Sequence, residues 1–274
     1  MRESVRKRWD DAADARVDFV HTGKDYYRDE LNNPALFELL GDVMGKKILD
    51  VACGEGYNTR IMAEKGAHVT GIDFSEKLIE FAIQKERKEK QGIQYFIGDV
   101  CDLQVFENAT FDIVTCFMAL QDIENYQSAI KEAGRVLKDK GRFVFVIPHP
   151  CFEKRVIDDK VIGGWEYEEK GESEEKAKDK THSETTPNPL YYNVDRYFDT
   201  HSYTISWKME RLTQHFVTTS FHRTLTDYVN ALYEAGFLIS RFKEPKPTER
   251  GLKIHPMKNN LRIPQSIVIE AVKC

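Results

Sequence analysis

Residues 48–60, ILDVACGEGYNTR, limit what this chain can fold into more than any other stretch. An apolar run ends in Asp50, turns through small residues that include Gly54 and Gly56, and enters a segment with helical spacing. A parallel strand hands over to a crossover helix in this way. The alternation then repeats. AHVTGIDFS reads as a second strand, followed by the helical SEKLIEFAIQKERKEKQG, for which Ser75 is the expected N-cap and Gly92 the stop. IQYFIGDV is a third strand and FDIVTCFMAL a fourth, and YQSAIKEAGRVLKDKG is a helix feeding a fifth strand, RFVFVIPHP.

The flanking segments are read against that rhythm. Before it, Val5, Trp9 and Ala12, then Leu36, Leu39, Leu40 and Val43, recur at helical spacing, with Pro34 suited to an early helical position. Residues 1–44 are therefore expected to form a helical cover. After the fifth strand, 151–223 breaks the pattern. It contains EYEEKGESEEKAKDKTHSETTPNP, a charged stretch read as a solvated or partly disordered loop. LYYNVDRYFD, SYTISWKME and QHFVTTSF then alternate like strands, so the insertion is expected to hold a small antiparallel sheet serving as substrate lid or homodimerisation element. TLTDYVNALYEAGF returns to helix, with Thr224 and Asp227 spaced as a capping box and Gly236 ending it, and two further strands close the sequence. The core is thus expected over 45–150 and 224–274.

Composition narrows the classes. The chain is 41% hydrophobic and 31% charged, and no apolar run approaches the roughly 20 residues that span a bilayer. MRESVRKRWDDAADAR lacks the apolar segment of a secretory signal, so the cytoplasm is the expected compartment. Five cysteines, without a C-x-x-C pair or a neighbouring histidine at ligand spacing, suggest neither a disulfide framework nor a metal site. A net charge of −5 offers no footprint for nucleic acid, which leaves a small molecule as the expected partner.

The glycine turn and the acids at successive strand ends say what such a molecule looks like. A dinucleotide turn would read G-x-G-x-x-G, but Gly54 and Gly56 are followed by Tyr57, Asn58 and Thr59, which disfavours a nicotinamide oxidoreductase. Asp73 closes the second strand and Asp99 the third. One carboxylate suits ribose hydroxyls and the other an amino group on a base, a pair fitted to a nucleoside without phosphate.

ILDVACGEGYNTRIMAEKGAHVTGIDFSEKLIEFA, IQYFIGDVCDL, FDIVTCFMALQDI and EAGRVLKDKGRFVFVIPHPCF, taken in order, resemble the motifs of class I S-adenosylmethionine-dependent methyltransferases, in the small-molecule group of ubiquinone and menaquinone enzymes. IVIEAVK is similar to that family's final antiparallel strand. The resemblance implies a Rossmann-like, doubly wound α/β fold with a mostly parallel seven-stranded sheet and an antiparallel last strand. It also implies S-adenosylmethionine as cofactor and S-adenosylhomocysteine as product. By the resemblance, Asp50, Ala52, Gly54 and Gly56 line the methionine side, with Ala52 where the family usually has glycine. Asp73 holds the ribose hydroxyls, Phe74 lies against the adenine, Asp99 and the Val100 backbone N–H read its edge, and Phe117 contacts the amino-acid part. Tyr27 and Arg28 cover the methionine end.

For the other half of the reaction, His149, just past the fifth strand, is the candidate general base. Tyr26, Tyr191, Tyr197 and His222 are candidate acceptor contacts, within an aromatic set that also holds Trp165, Tyr192, Trp207 and His215. The expected activity is methyl transfer to an oxygen or nitrogen of a small molecule. The alternative is a non-catalytic cofactor-binding sensor or partner subunit.

Overall fold

The computed structural model describes residues 2–157, 160–167, 189–207, 215–254 and 257–274. Most of the charged stretch discussed above, residues 168–188, lies outside them.

The chain opens with α1 (Arg2–His21), a π-helical turn (Arg28–Asn32) and α2 (Asn33–Leu40), in which Pro34 takes the early position where its missing N–H costs no hydrogen bond. The core then runs β1 (Lys47–Val51), α3 (Tyr57–Glu64), β2 (His68–Asp73), α4 (Glu76–Glu89), β3 (Gln94–Ile97), β4 (Phe111–Phe117), α5 (Tyr126–Val136) and β5 (Leu137–Pro148). The Ser75 side chain caps α4 by accepting from the Leu78 N–H at 3.2 Å. The helix ends earlier than Gly92, at Lys90, which turns left-handed with φ 55° and bonds back to the Glu86 carbonyl.

Three hairpins follow: β6 (Arg155–Ile157) with β7 (Lys160–Ile162), β8 (Gly164–Tyr167) with β9 (Pro189–Asn193), and β10 (Ser202–Trp207) with β11 (Phe216–Phe221). The single small sheet expected there is thus three separate pairs. β10–β11 lies on α1, where Phe216 and Trp207 meet Ala12, Ala15 and Phe19. The chain closes with α6 (Leu225–Glu234), β12 (Phe237–Lys243) and β13 (Ser266–Lys273). The Thr224–Asp227 capping box forms at α6 in both directions.

The main sheet has the order β12-β13-β5-β4-β1-β2-β3. The five core strands are parallel, and β13 runs antiparallel to both β5 and β12. Alternating side chains sort the core into two layers. Leu49, Phe143, Phe145 and Ile269 pack against α5 and α6, while Ile48, Val144, Val146 and Val268 pack against α2 and Met62 of α3. Helices therefore cover both faces, as the near-continuous apolar strands require. Among the described residues no helix is long and apolar enough to cross a membrane.

Candidate cofactor site

The carboxyl ends of β1, β2, β3 and β4 open into a cavity of about 240 Å³ roofed by α1, the crevice where open α/β sheets bind ligands. Asp50, Ala52, Gly54, Asp73, Phe74, Asp99, Val100, Phe117 and Arg28 all line it. Gly56 does not. It sits left-handed at φ 80° ahead of α3, and a Cβ there would collide with the Tyr95 ring, so its contribution is to the turn. Ala52 is also left-handed, at φ 53°. A Cβ crowds the backbone in that region, which is the physical reason a glycine suits the position.

Each acid is fixed by hydrogen bonds around its strand end. Asp50 accepts from the hydroxyls of Thr59, at 2.6 Å, and Thr115, at 2.7 Å, and so ties β1 to α3 and β4. Asp73 accepts from the backbone N–H of Gly54 and of Ser75, both at 2.9 Å. Asp99 accepts from the Cys101 N–H at 2.8 Å. Burial pushes Asp50 up to about 6 against the pull of its two hydroxyl donors, and pushes Asp73 up to about 6 against its backbone donors.

Arg28 enters from the π-helical turn. Its guanidinium lies 3.6 Å from the Tyr57 ring centroid and its Nε donates to Asp29 at 2.8 Å, yet the buried Nη1 finds no hydrogen-bond partner among the described residues. A buried cation with an idle donor calls for an anionic group, and a carboxylate meets that need. The neighbouring Tyr27 lies outside the lining.

The roof comes from α1, whose Val5, Trp9, Arg16 and Val20 reach the cavity. The helix is pinned by Asp10, which accepts from the Ser75 hydroxyl at 2.6 Å, and by Arg8, which donates to Thr219 on β11 at 2.7 Å. Helical spacing makes Val5 and Trp9 visible in the sequence. Arg16 and Val20 continue the same face but carry no motif. Asp122 also lines the cavity. It ends a short 3-10 turn beyond β4, a position that no motif in the sequence marks.

Residues 49–145 match the model of the methyltransferase domain family. That stretch is similar to class I S-adenosylmethionine-dependent methyltransferase domains. The demethylmenaquinone methyltransferase of Lactococcus lactis is 38% identical over 116 residues, 40% of this chain and 46% of that protein. The ubiquinone biosynthesis O-methyltransferase of Idiomarina loihiensis is 34% identical over 103 residues, 38% of this chain and 42% of that one. The chain thus spans less than half the length of these curated relatives. Solved methyltransferase structures match over more of it. A putative S-adenosylmethionine-dependent enzyme from Listeria monocytogenes is 29% identical with a TM-score of 0.65, covering 87% of this chain and 95% of that one. An S-adenosylmethionine-dependent enzyme from Mesorhizobium loti is 25% identical with a TM-score of 0.66, covering 88% and 96%. The residues lining the cavity fit S-adenosylmethionine, with two acids for hydroxyl and amino donors, apolar walls at Phe74 and Val100, and an idle guanidinium nitrogen for a carboxylate.

The acceptor candidates lie elsewhere. His149 is outside the cavity lining. Its Nδ1 accepts from the Cys151 N–H at 3.2 Å, its Nε2 faces Glu244 at 3.3 Å, and its backbone N–H bonds the Gln265 carbonyl. Burial lowers its pKa, with Glu244 opposing. Those contacts make it a brace between the end of β5 and the approach to β13, outside the cavity where a base would act. His222 is 2% exposed with both ring nitrogens engaged, by Glu153 at 2.6 Å and the Tyr197 carbonyl at 2.9 Å. The Tyr197 hydroxyl accepts from the Leu225 N–H at 2.8 Å at the start of α6. Tyr191 is 60% exposed on β9, and Tyr26 packs on Tyr27 with ring centroids 4.9 Å apart. None of these four lines the cavity. They take up structural positions in the hairpins and the π-helical turn that periodicity alone does not distinguish from binding positions.

Proposed function

We propose that this protein transfers a methyl group from S-adenosylmethionine to an oxygen or nitrogen of a small molecule. The observation that carries the reading is one cavity with Asp73 and Asp99 on successive strand ends and the idle Arg28 Nη1 across from them. The cofactor, when bound, supplies a methyl group already activated on a positively charged sulfur. What remains for the chain is to hold, orient and keep dry. Asp73 accepts the ribose hydroxyls, Asp99 and the Val100 N–H take the adenine edge, and Arg28 takes the amino-acid carboxylate. Val5, Trp9 and Val20 close the roof and exclude water. Gly54, with no side chain, and Ala52, with only a methyl, let the backbone approach closely. The quinone-pathway names of the curated relatives support a flat small-molecule acceptor, and the negative charge of the chain argues against nucleic acid.

The test is calorimetric titration with S-adenosylhomocysteine, with NADH as control. Micromolar binding of S-adenosylhomocysteine and none of NADH is expected. The reverse preference would overturn the reading.

A further inference from the structure

The cavity carboxylates Asp50, Asp73 and Asp99 sit at or close to the ends of β1, β2 and β3. Asp122 is placed differently. It closes the short 3-10 turn Leu120–Asp122 that follows β4, and lines the cavity beside Met118, Ala119 and Ile123. In the sheet order, β4 lies on the opposite side of β1 from β2 and β3. A ligand resting its ribose on Asp73 would run across β1 toward β4, and Asp122 lines the β4 side of the same cavity, where it would face an acceptor.

The turn is clamped from the insertion side. The Arg223 guanidinium donates to the carbonyls of Leu120 at 3.2 Å, Ile123 at 2.5 Å and Glu124 at 3.1 Å, and lies 4.1 Å from the Tyr126 ring centroid. The ionisable and charged groups around Asp122 come from several elements: Glu153 after β5, Arg223 before α6, Tyr203 of β10 and Cys116 of β4. The side chains of Ser220 and Gln121 lie beside it. Glu153 is itself held by His222 and the Tyr203 hydroxyl.

We propose that Asp122 is the catalytic group that accepts the acceptor's proton, and that Arg223 is the positioning residue that keeps its turn at the cavity. The inference rests on the methyl-transfer reading. In the step, a lone pair on the acceptor's oxygen or nitrogen forms the bond to the methyl carbon. The electron pair of the carbon–sulfur bond returns to sulfur and neutralises it. The acceptor's O–H or N–H proton passes to a carboxylate oxygen of Asp122, so one positive and one negative charge disappear together. Burial pushes Asp122 up to about 8, with the Glu153 charge adding to the rise and Ser220 and Arg223 opposing it. A base in that range suits phenolic and amine protons. Because the ionised form is the working one, transfer rises with pH through about 8.

The experiment uses the full chain saturated with S-adenosylhomocysteine. Side-chain carboxyls are titrated by carbon-13 NMR in the wild type, Asp122→Asn and Arg223→Lys. Methyl transfer from S-adenosylmethionine to a panel of catechols, phenols and secondary amines is followed across the same pH range. The expected result is a carboxyl titrating near pH 8 that vanishes in Asp122→Asn. S-adenosylhomocysteine affinity should be unchanged in that variant while transfer falls about 10² to 10⁴ fold. In Arg223→Lys the midpoint moves and kcat falls, with KM for S-adenosylmethionine unchanged. An Asp122 carboxyl titrating near pH 4 with ligand bound, or transfer by Asp122→Asn within threefold of wild type, overturns the proposal. Failure of the wild type to bind S-adenosylhomocysteine instead removes the methyl-transfer reading, and this inference with it.

Discussion

At the scale of single residues, Asp73 is the side chain whose loss is most easily read. Asp73→Ala removes the acceptor for two ribose hydroxyls and should weaken S-adenosylhomocysteine binding by about 1–3 kcal/mol, measured by calorimetry on folded protein. The pH dependence has a definite sign. Burial lifts the Asp73 carboxyl from 3.8 to about 6 in the empty protein, and hydroxyl donors favour its ionised form. Affinity should therefore fall as pH drops through 6 and level off above 7, with the slope flattened in Asp73→Asn. The same shift makes the empty protein lose stability as pH rises from about 4 to 6, because the folded state binds the proton more tightly than the unfolded one. Asp73 and Asp99 were legible in the sequence because each ends an apolar strand next to a turn. His149 and His222 were misleading for a physical reason. A histidine near a strand end looks the same whether its nitrogens face a ligand or, as here, a carboxylate and backbone groups.

At the scale of elements, local chemistry reads well and partnership does not. The Thr224–Asp227 spacing announces the start of α6, and Thr224→Ala should cost about 1 kcal/mol in urea unfolding, as loss of a satisfied N-cap does. The alternation in 202–207 and 216–221 likewise announces strands. What the sequence does not carry is that, among the described residues, β10 and β11 pair only with each other and then rest on α1 through Phe216 and Trp207. That contact is tertiary, and no period in either segment encodes it. It also makes the roof dependent on the insertion. Phe216→Ala should speed amide exchange along α1 while leaving β1 and β4 protected, a difference that hydrogen-exchange mass spectrometry reads directly.

At the scale of the whole molecule, the doubly wound core was legible because each strand, helix and glycine turn agrees with its neighbours about the same architecture. The hairpins were less so, since β8 and β9 meet across a long charged stretch whose composition says nothing about pairing. Ligand binding should link the parts. S-adenosylhomocysteine at a hundred times its dissociation constant is expected to stabilise the fold by about 2.7 kcal/mol in thermal or urea unfolding. The position of β13 carries a consequence for how the molecule is made. The strand at residues 266–273 follows both β5 and β12 in the chain, yet it lies between them, hydrogen-bonded to β5 on one side and β12 on the other. Until it emerges from the ribosome, β5 shows an open edge and β12 has no strand to join. The sheet is therefore completed only once residues 266–273 have emerged, and a nascent chain stalled short of residue 266 presents two unsatisfied backbone edges to the chaperones that attend it.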